Sequence, residues 1–210
     1  MARPRGEIRT RVLHAARERF LNEGVDGASL RRIAAEAGTN IGMVYYYFPT
    51  KDDLFLAIVE EVYQVVLADL LVALDPGQPV PERIRRLYER VGRFSDEERM
   101  VLRLVLREAL ISSSRLDRIV ERFRHGHLPL IIRLVQDGLV DGTFDPSIPP
   151  MFLLASMMAL GGPGQLIPRA MESRSPFPPP ADGLHGADRM LRILLKGIAA
   201  KPAAGDDHEA

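Results

Sequence analysis

The chain has 210 residues, enough for one or two domains with a real core, and its 46% hydrophobic and 27% charged residues exclude an intrinsically disordered protein. The absence of cysteine excludes disulfides, thiolate metal ligands and cysteine nucleophiles. The N-terminus lacks the apolar segment of a signal peptide, and the longest apolar stretch, residues 151–162, is shorter than the roughly 20 residues that span a bilayer, so we expect a cytoplasmic protein without membrane spans.

The charges are segregated along the chain. The 28 basic and 28 acidic side chains cancel overall, but residues 1–50 contain eight arginines and five acidic residues, so this end carries about +3 and the remainder about −3. Because basic surfaces attract the phosphates of nucleic acids, the N-terminal end is the place where we expect such a partner to bind.

Apolar residues at helical spacing predict four helices in the first third of the chain. The predicted helices cover about residues 6–23, 29–37, 40–48 and 50–74. Ser29 is the expected N-cap of the second helix, and Thr39 or Asn40 that of the third. Gly38 provides the turn between them, and a capping-box pattern at residues 50–53 begins the fourth.

Helical spacing continues after a break at residues 75–81, which contain three prolines. Five further helices are predicted at about residues 82–94, 96–112, 115–141, 150–171 and 185–200. Capping boxes that start at Ser95 and Ser114 open two of them, and Pro129 is expected to kink the helix at 115–141. With no alternating strand pattern, the sequence predicts an all-α fold of about nine helices and a disordered tail at residues 201–210.

Residues 29–48 match a helix-turn-helix, in which two short helices meet at a tight turn and the second one enters the major groove of DNA. Ala34, Ala35 and Ala37 are small enough for close helix packing, and Gly38 suits the turn. Gly42 would let the backbone approach a phosphate or a base edge. This segment is therefore the candidate DNA-binding motif.

A longer combination of residues makes the assignment more specific than a bare helix-turn-helix. Its parts are Phe20-x-x-x-Gly24, Ala34-Ala-Glu-Ala-Gly38, Gly42-Met-Val-Tyr45-Tyr-Tyr-Phe48, Lys51 and Leu54-Phe55. In this combination the chain resembles the TetR family of transcriptional regulators. The resemblance implies a three-helix DNA-binding domain at residues 6–66 and a larger helical ligand-binding and dimerisation domain at 67–200.

The resemblance also implies which residues face the operator. The implied DNA-binding residues are Ser29, Arg31, Thr39, Ile41, Gly42, Met43, Tyr45, Tyr46 and Lys51. Among them, Ser29, Arg31, Thr39 and Lys51 are placed for backbone contacts. Because Ile41 and Met43 are apolar where polar residues are frequent in the family, we expect modest base readout, with contacts to thymine methyl groups instead of hydrogen bonds.

Within the motif and directly after it, we expect Tyr45, Tyr46 and Lys51 to fix phosphates and Val44 and Phe48 to face the core, whereas Tyr47 fits either role.

A second set of implied roles concerns the inducer and the dimer. The family resemblance implies a repressor that binds a palindromic operator as a homodimer and is released by a small apolar or aromatic inducer. The candidate inducer contacts are Val62, Val66, Tyr88, Leu106, Phe123 and Met157. The helices near 150–171 and 185–200 are the expected dimer interface. Arg99, Arg103 and Arg107 share one helix face, which is either solvated or turned toward an acidic inducer.

Other chemistry finds little support in the sequence. There is no nucleophile with a base and an orienting group, no P-loop and no dinucleotide fingerprint, so we expect neither an enzyme nor a cofactor. His125 and His127 point in different directions on a helix, which disfavours a metal site. The alternative hypothesis is a helical small-molecule-binding protein that lacks sequence-specific DNA recognition, as the apolar Ile41 and Met43 suggest.

Overall fold

The computed structural model describes residues 5–161, residue 176 and residues 186–196, and the described chain is helical without strands. Its helices are α1 (Arg5–Gly27), α2 (Leu30–Glu36), α3 (Ile41–Tyr47), α4 (Lys51–Ala73), α5 (Val80–Gly92), α6 (Asp96–Ile111), α7 (Ser113–Arg124), α8 (Leu128–Val140), α9 (Pro150–Gly161) and α10 (Gly186–Lys196). The all-α prediction is confirmed. None of the described helices is long and apolar enough to cross a membrane.

Local capping signals set most helix starts. Ser29 caps α2, and Asn40 rather than Thr39 caps α3, its Oδ1 accepting the Met43 N–H at 3.0 Å. The capping box of α4 is complete, because Asp53 N–H donates to Thr50 Oγ1 at 3.0 Å and Thr50 N–H donates to Asp53 Oδ2 at 3.2 Å. The predicted box at Ser95 is also present in α6.

Two glycines shape the N-terminal helices. Gly24 has a φ of +79° inside α1, so the regular helix stops there, as predicted, and one more turn follows as far as Gly27. Gly38 has a φ of +61° at the turn between α2 and α3. Residues with a side chain rarely adopt this left-handed backbone conformation, which is why glycine occupies these positions.

The prediction of a single kinked helix at residues 115–141 is wrong. The structure has two helices, α7 and α8, separated by residues 125–127, and Pro129 lies in the first turn of α8, where its missing N–H costs no hydrogen bond. The predicted cap at Ser114 is also wrong: Ser112 caps α7, its Oγ accepting the Arg115 N–H at 3.4 Å.

Three predicted segments extend beyond the described residues. The predicted helix at 150–171 is described as far as Gly161, and the one at 185–200 from Gly186 to Lys196. The predicted disordered tail at 201–210 lies outside the described residues.

The described residues form two compact units. The first contains residues 5–72 and 94–130, and the second contains residues 73–93, 131–161 and 186–196. The core of the first unit includes Val12, Phe20, Ile33, Val44, Phe55 and Leu104. In the second unit, α5 packs against α9 and α10 and buries Ile84 and Tyr88. The functional domain boundary near residue 66 stays a prediction, because compact packing units and functional domains need not coincide.

Gly138 of α8 is buried in the second unit and leaves no room for a side chain. A Cβ at this position would lie 2.4 Å from Phe144 Cδ2 and 3.2 Å from Val80 Cγ1. Phe144 is itself buried, and its N–H donates to the Gly138 carbonyl at 2.9 Å, so its ring has little freedom to retreat. We predict that Gly138→Ala lowers the free energy of unfolding by about 2 kcal/mol despite the better helix propensity of alanine.

Chemical denaturation followed by circular dichroism checks this prediction, with Gly27→Ala as the control. A Cβ at Gly27 meets only Glu23 Cβ, at 3.8 Å, which is an ordinary contact. The control is expected to change the unfolding free energy by less than about 1 kcal/mol. Equal midpoints for the two variants would show that the second unit repacks around the added methyl group.

Candidate nucleic-acid interface

Helix α3 presents two tyrosines to solvent. Its buried side is anchored by Val44, which is fully buried, and by Phe48, which is 4% exposed directly after the helix, as expected. Tyr45 and Tyr46 are 52% and 70% exposed. Tyr47 is half-buried against the core, and its ring meets that of Tyr46 edge-on at a centroid distance of 5.1 Å. The helix thus exposes aromatic side chains while Val44 and Phe48 hold it against the core.

Two side chains at the start of α3, Ile41 and Met43, are less exposed than Tyr45 and Tyr46. Ile41 is half-buried and packs against the core of the first unit, and Met43 is also half-buried. Gly42 is exposed, and a Cβ there would lie 3.2 Å from the capping oxygen of Asn40. A glycine at this position therefore keeps space for the N-cap in addition to leaving the backbone accessible.

The residues implied to contact phosphates differ in their exposure and in the hydrogen bonds that they already make. Arg31 is exposed on α2, and Thr39 is half-buried in the turn. Ser29 uses its Oγ to accept the Arg32 N–H at 3.5 Å, and Lys51 Nζ donates to the Asp26 carbonyl at 2.7 Å. Lys51 is therefore held at the end of α1, where a cation is favoured by the helix dipole.

Helix α1 adds two cations that the sequence reasoning missed. The guanidinium of Arg9 lies over the Phe48 ring, 5.7 Å from its centroid. Arg11 Nη1 lies 3.4 Å from the Cβ position of Gly38, and Arg11 Nε is buried without a hydrogen-bond partner in the described structure. Arg9 thus lies beside the end of the helix-turn-helix, and Arg11 lies beside its turn. The only signal in the sequence was the excess of arginine near the N-terminus.

An ion network centred on the buried Arg115 joins α7 to α1, α4 and α6. Arg115 is 5% exposed; its Nε donates to Asp52 Oδ1 at 2.9 Å, and its Nη1 donates to Glu108 Oε2 at 2.7 Å and Asp26 Oδ2 at 3.1 Å. Glu108 is 1% exposed and also accepts the Val25 N–H at 3.3 Å. The hydrogen bond from Arg115 lowers the pKa of Asp26. Arg115 therefore links the end of α1, the start of α4 and the end of α6.

Two further arginines of α7 contact α4. Arg118 Nη2 donates to Asp53 Oδ1, and Arg122 Nη2 donates to Glu60 Oε1, each at 2.9 Å. These hydrogen bonds are the main cause of the lowered pKa values of both carboxylates. Helix α4 is therefore tied to α7 at Asp53 and Glu60, in its N-terminal half.

The three arginines of α6 have different environments. Arg107 Nη1 donates to the Leu21 carbonyl at 3.0 Å, and Arg107 also contacts the Phe20 carbonyl. Arg99 contacts the Phe94 carbonyl and Asp96, whereas Arg103 is exposed. The face is thus solvated only in part, and its inward member binds α1.

The candidate inducer contacts are distributed over both units. Val62 is buried in the core of the first unit, and Val66 and Phe123 pack against that core; Leu106 is half-buried in the same unit. Tyr88 and Met157 are buried in the second unit, where Tyr88 Oη donates to the Met157 carbonyl at 3.3 Å. Burial raises the pKa of Tyr88. Their role toward an inducer stays a prediction.

The histidines considered as metal ligands have other contacts. His127 Nδ1 lies 2.8 Å from Tyr63 Oη, and His125 Nδ1 lies 3.0 Å from the Glu121 carbonyl in the last turn of α7. Within the described residues, no group of three or more histidine, aspartate or glutamate side chains is arranged to hold a metal ion.

Comparison with known proteins decides the family. Residues 12–58, which include the entire helix-turn-helix, match the model of bacterial regulatory proteins of the tetR family. The HTH-type transcriptional repressor SCO4008 of Streptomyces coelicolor is 28% identical over 80% of this chain and 83% of its own length. Residues 12–58 therefore form a DNA-binding domain of the TetR family of transcriptional regulators.

Solved structures of other proteins share the fold over most of the chain. A HlyIIR variant aligns with a TM-score of 0.72 and 20% identity, covering 91% of this chain and 99% of that one. FadR from Bacillus subtilis, solved in complex with stearoyl-CoA, aligns with a TM-score of 0.68 and 14% identity, covering 90% and 99%. The match at residues 12–58 and the likeness to SCO4008 identify the chain as a DNA-binding transcriptional regulator, and the relatives it resembles are regulators rather than enzymes.

Proposed function

We propose that this protein is a ligand-responsive repressor that binds a palindromic operator as a homodimer and is released by a small apolar or aromatic inducer. The observation that carries the proposal is the exposed pair Tyr45 and Tyr46 on a short helix that Val44 and Phe48 fix to the core. Large aromatic side chains that are exposed on a helix anchored in the core favour a binding surface. A regulator of this kind acts on chromosomal DNA, so we also propose a cytoplasmic location.

The DNA contacts follow from the exposure and charge of the side chains around α3. Gly42 and the edge of Met43 meet base edges in the major groove, and the half-buried Ile41 contributes mainly to packing. The phosphates are contacted by the exposed Tyr45 and Tyr46 and by Ser29, Arg31, Thr39, Lys51, Arg9 and Arg11. Phosphate contacts fix the register of the protein on the duplex, while the few base contacts give specificity.

The proposed dimer uses α9 and α10. Met151 and Phe152 of α9 are 69% and 66% exposed, and Met158 of α9 and Ile193 of α10 are also exposed. Exposed apolar surface of this kind is stabilised when it is buried against a partner. A twofold dimer would place two copies of α3 on two half-sites, which explains why the operator should be a palindrome.

The proposed inducer is apolar because its candidate contacts are apolar or aromatic. Val62, Val66, Leu106 and Phe123 lie in the first unit, and Tyr88 and Met157 lie in the second; each is a position to be tested individually. The FadR structure holds stearoyl-CoA, so a protein of this fold accommodates a ligand with a long apolar chain. Which ligand acts here is a separate question from the DNA contacts.

Fluorescence-anisotropy binding to a library of duplexes in about 150 mM salt tests the DNA-binding proposal. We expect a selected palindrome to bind at least about a thousandfold more tightly than random DNA, and Tyr46→Ala to weaken that binding by about 10–100-fold. Leu110→Ala is the control, because Leu110 is 89% exposed on α6, away from α3 in the sequence. Equal affinity for all duplexes would instead favour the helical small-molecule-binding protein.

The salt dependence of binding tests Lys51 separately. If Lys51 leaves the Asp26 carbonyl to contact a phosphate, Lys51→Ala should reduce the slope of log affinity against log salt by about one. Arg133→Ala is the control, since the Arg133 side chain is 61% exposed on α8 in the second unit. A lower affinity with an unchanged slope would show that Lys51 only braces α1.

A further inference from the structure

A cleft of about 380 Å³ lies between α1 and α6 in the first unit. We call it the α1–α6 cleft; α1 contributes Glu18, Leu21 and Asn22, and α6 contributes the apolar side chains of Met100 and Leu104. Leu104 is buried, and Leu21 and Met100 are half-buried, so these three side chains give the cleft an apolar part. Its volume is within the range of small-molecule sites, about 300–1,000 Å³.

The two walls of this cleft carry opposite charges. Arg103 of α6 and Glu18 of α1 both line it, both are exposed, and neither has a hydrogen bond or ion pair with the part of the chain that the structure describes. Arg107, which also lines the cleft, is occupied by the Leu21 carbonyl at 3.0 Å and by Glu108 Oε1 at 3.2 Å. The cation that remains available to a ligand is therefore that of Arg103.

This charge pattern selects among ligand classes. A simple anion would meet Glu18 and a simple cation would meet Arg103, so each would gain one favourable and one unfavourable interaction. A zwitterion satisfies both walls, and an apolar body covers Leu21, Met100 and Leu104. Hydrogen bonds to charged groups are among the stronger ones, and the carboxylate geometry suits a guanidinium.

We propose that the α1–α6 cleft binds a small zwitterion, an α-amino acid with an apolar side chain. Its carboxylate accepts hydrogen bonds from Arg103, and its ammonium group donates to Glu18 and Asn22. The bound molecule joins α1 to α6 beside the contact between Arg107 and the Leu21 carbonyl. The site lies within the first unit, it is distinct from the proposed inducer contacts, and it does not rest on the proposed mode of DNA binding.

Isothermal titration calorimetry of the full-length protein without DNA tests the proposal, with L-phenylalanine as the probe. We expect saturable binding with a Kd of about 1 mM or below. Two matched analogues separate the charges: 3-phenylpropionate lacks the ammonium group and 2-phenylethylamine lacks the carboxylate. Each should bind at least about tenfold more weakly than phenylalanine.

Variants locate the binding. Arg103→Gln and Glu18→Gln change exposed side chains and should each weaken phenylalanine binding at least about tenfold, whereas Arg133→Gln should leave it unchanged. Unfolding midpoints equal to that of the wild type establish that the variants are folded. The proposal would be overturned if binding does not saturate at about 20 mM phenylalanine, if 3-phenylpropionate binds as tightly as phenylalanine, or if both cleft variants bind phenylalanine as tightly as the wild type. Because no DNA is present, none of these outcomes depends on operator recognition.

Discussion

Replacing Arg115 with alanine is expected to lower the free energy of unfolding by about 3–5 kcal/mol. The change removes a buried guanidinium that donates to Glu108, Asp26 and Asp52. Glu108 is 1% exposed, so its carboxylate would keep only the Val25 N–H at 3.3 Å and the more exposed Arg107 at 3.1 Å. Leaving a buried charge without its main partner costs more than losing an exposed ion pair.

Denaturation in urea measures this effect against a matched variant. Arg118→Ala removes another arginine from the same helix, but the Arg118 side chain is 44% exposed and pairs with Asp53 at the surface. That change should cost no more than about 1 kcal/mol. The double variant Arg115→Met, Glu108→Leu should regain much of the lost stability, because it removes both buried charges together. A similar loss for Arg115→Ala and Arg118→Ala would show that the network is not desolvated.

The parts of the fold that depend on neighbouring residues could be predicted from the sequence. The caps at Ser29, Ser95 and Thr50 each join atoms three residues apart, and the turn at Gly38 follows from the freedom of a single residue. The burial of Val44 and the exposure of Tyr46 follow from helical periodicity once the motif is recognised. Local physical chemistry determines all of these features.

Features that depend on distant residues could not be predicted in this way. Arg115 finds Asp26 and Asp52 through contacts that span 89 and 63 residues, and nothing in its immediate sequence distinguishes it from the exposed arginines of α7. The same holds for Arg9, whose position over Phe48 depends on how α1 packs against α3. The site residues of the DNA interface were obtained from the family resemblance rather than from local pattern.

The break between α7 and α8 is another feature that depends on a distant residue, because Tyr63 of α4 occupies the space beside it. A Cβ at Gly126 would lie 2.0 Å from Tyr63 Oη, so the hydroxyl occupies the space next to the break. The same oxygen accepts the His127 N–H at 3.0 Å and lies 2.8 Å from His127 Nδ1. Phe123 packs on both rings. The kink predicted at Pro129 was therefore misplaced because proline is a local signal and Tyr63 is a distant one.

This cluster predicts a pH dependence of stability. Burial, with a smaller contribution from the Arg122 charge, lowers the pKa of His127 from 6.5 to about 4. The neutral ring accepts a hydrogen bond from the Tyr63 hydroxyl at Nδ1; a protonated ring would instead present a second donor to an oxygen that already accepts the His127 N–H. The folded protein therefore excludes a proton that the unfolded chain binds.

The sign follows from that difference in proton binding. Above pH 6.5 His127 is neutral in both states and its contribution is fully present; as the pH falls toward 4, the unfolded chain takes up the proton first and stability is lost. We expect a loss of about 3 kcal/mol between pH 7 and pH 4, of which about 2 kcal/mol occurs above pH 5. Above pH 5 the carboxylates of Asp26, Asp53 and Glu60 contribute little, because their pKa values are lowered from 3.8 or 4.5.

Urea denaturation at several pH values between 5 and 7 measures the dependence. His127→Gln should be less stable at pH 7 but should lose little further stability on going to pH 5, since glutamine does not titrate. His125→Gln is the matched control: the His125 side chain is 70% exposed two residues earlier, and this variant should keep the wild-type dependence. If His127→Gln loses as much stability as the wild type over this range, the titrating group lies elsewhere and the ring of His127 is more hydrated than its contacts with Tyr63 and Phe123 imply.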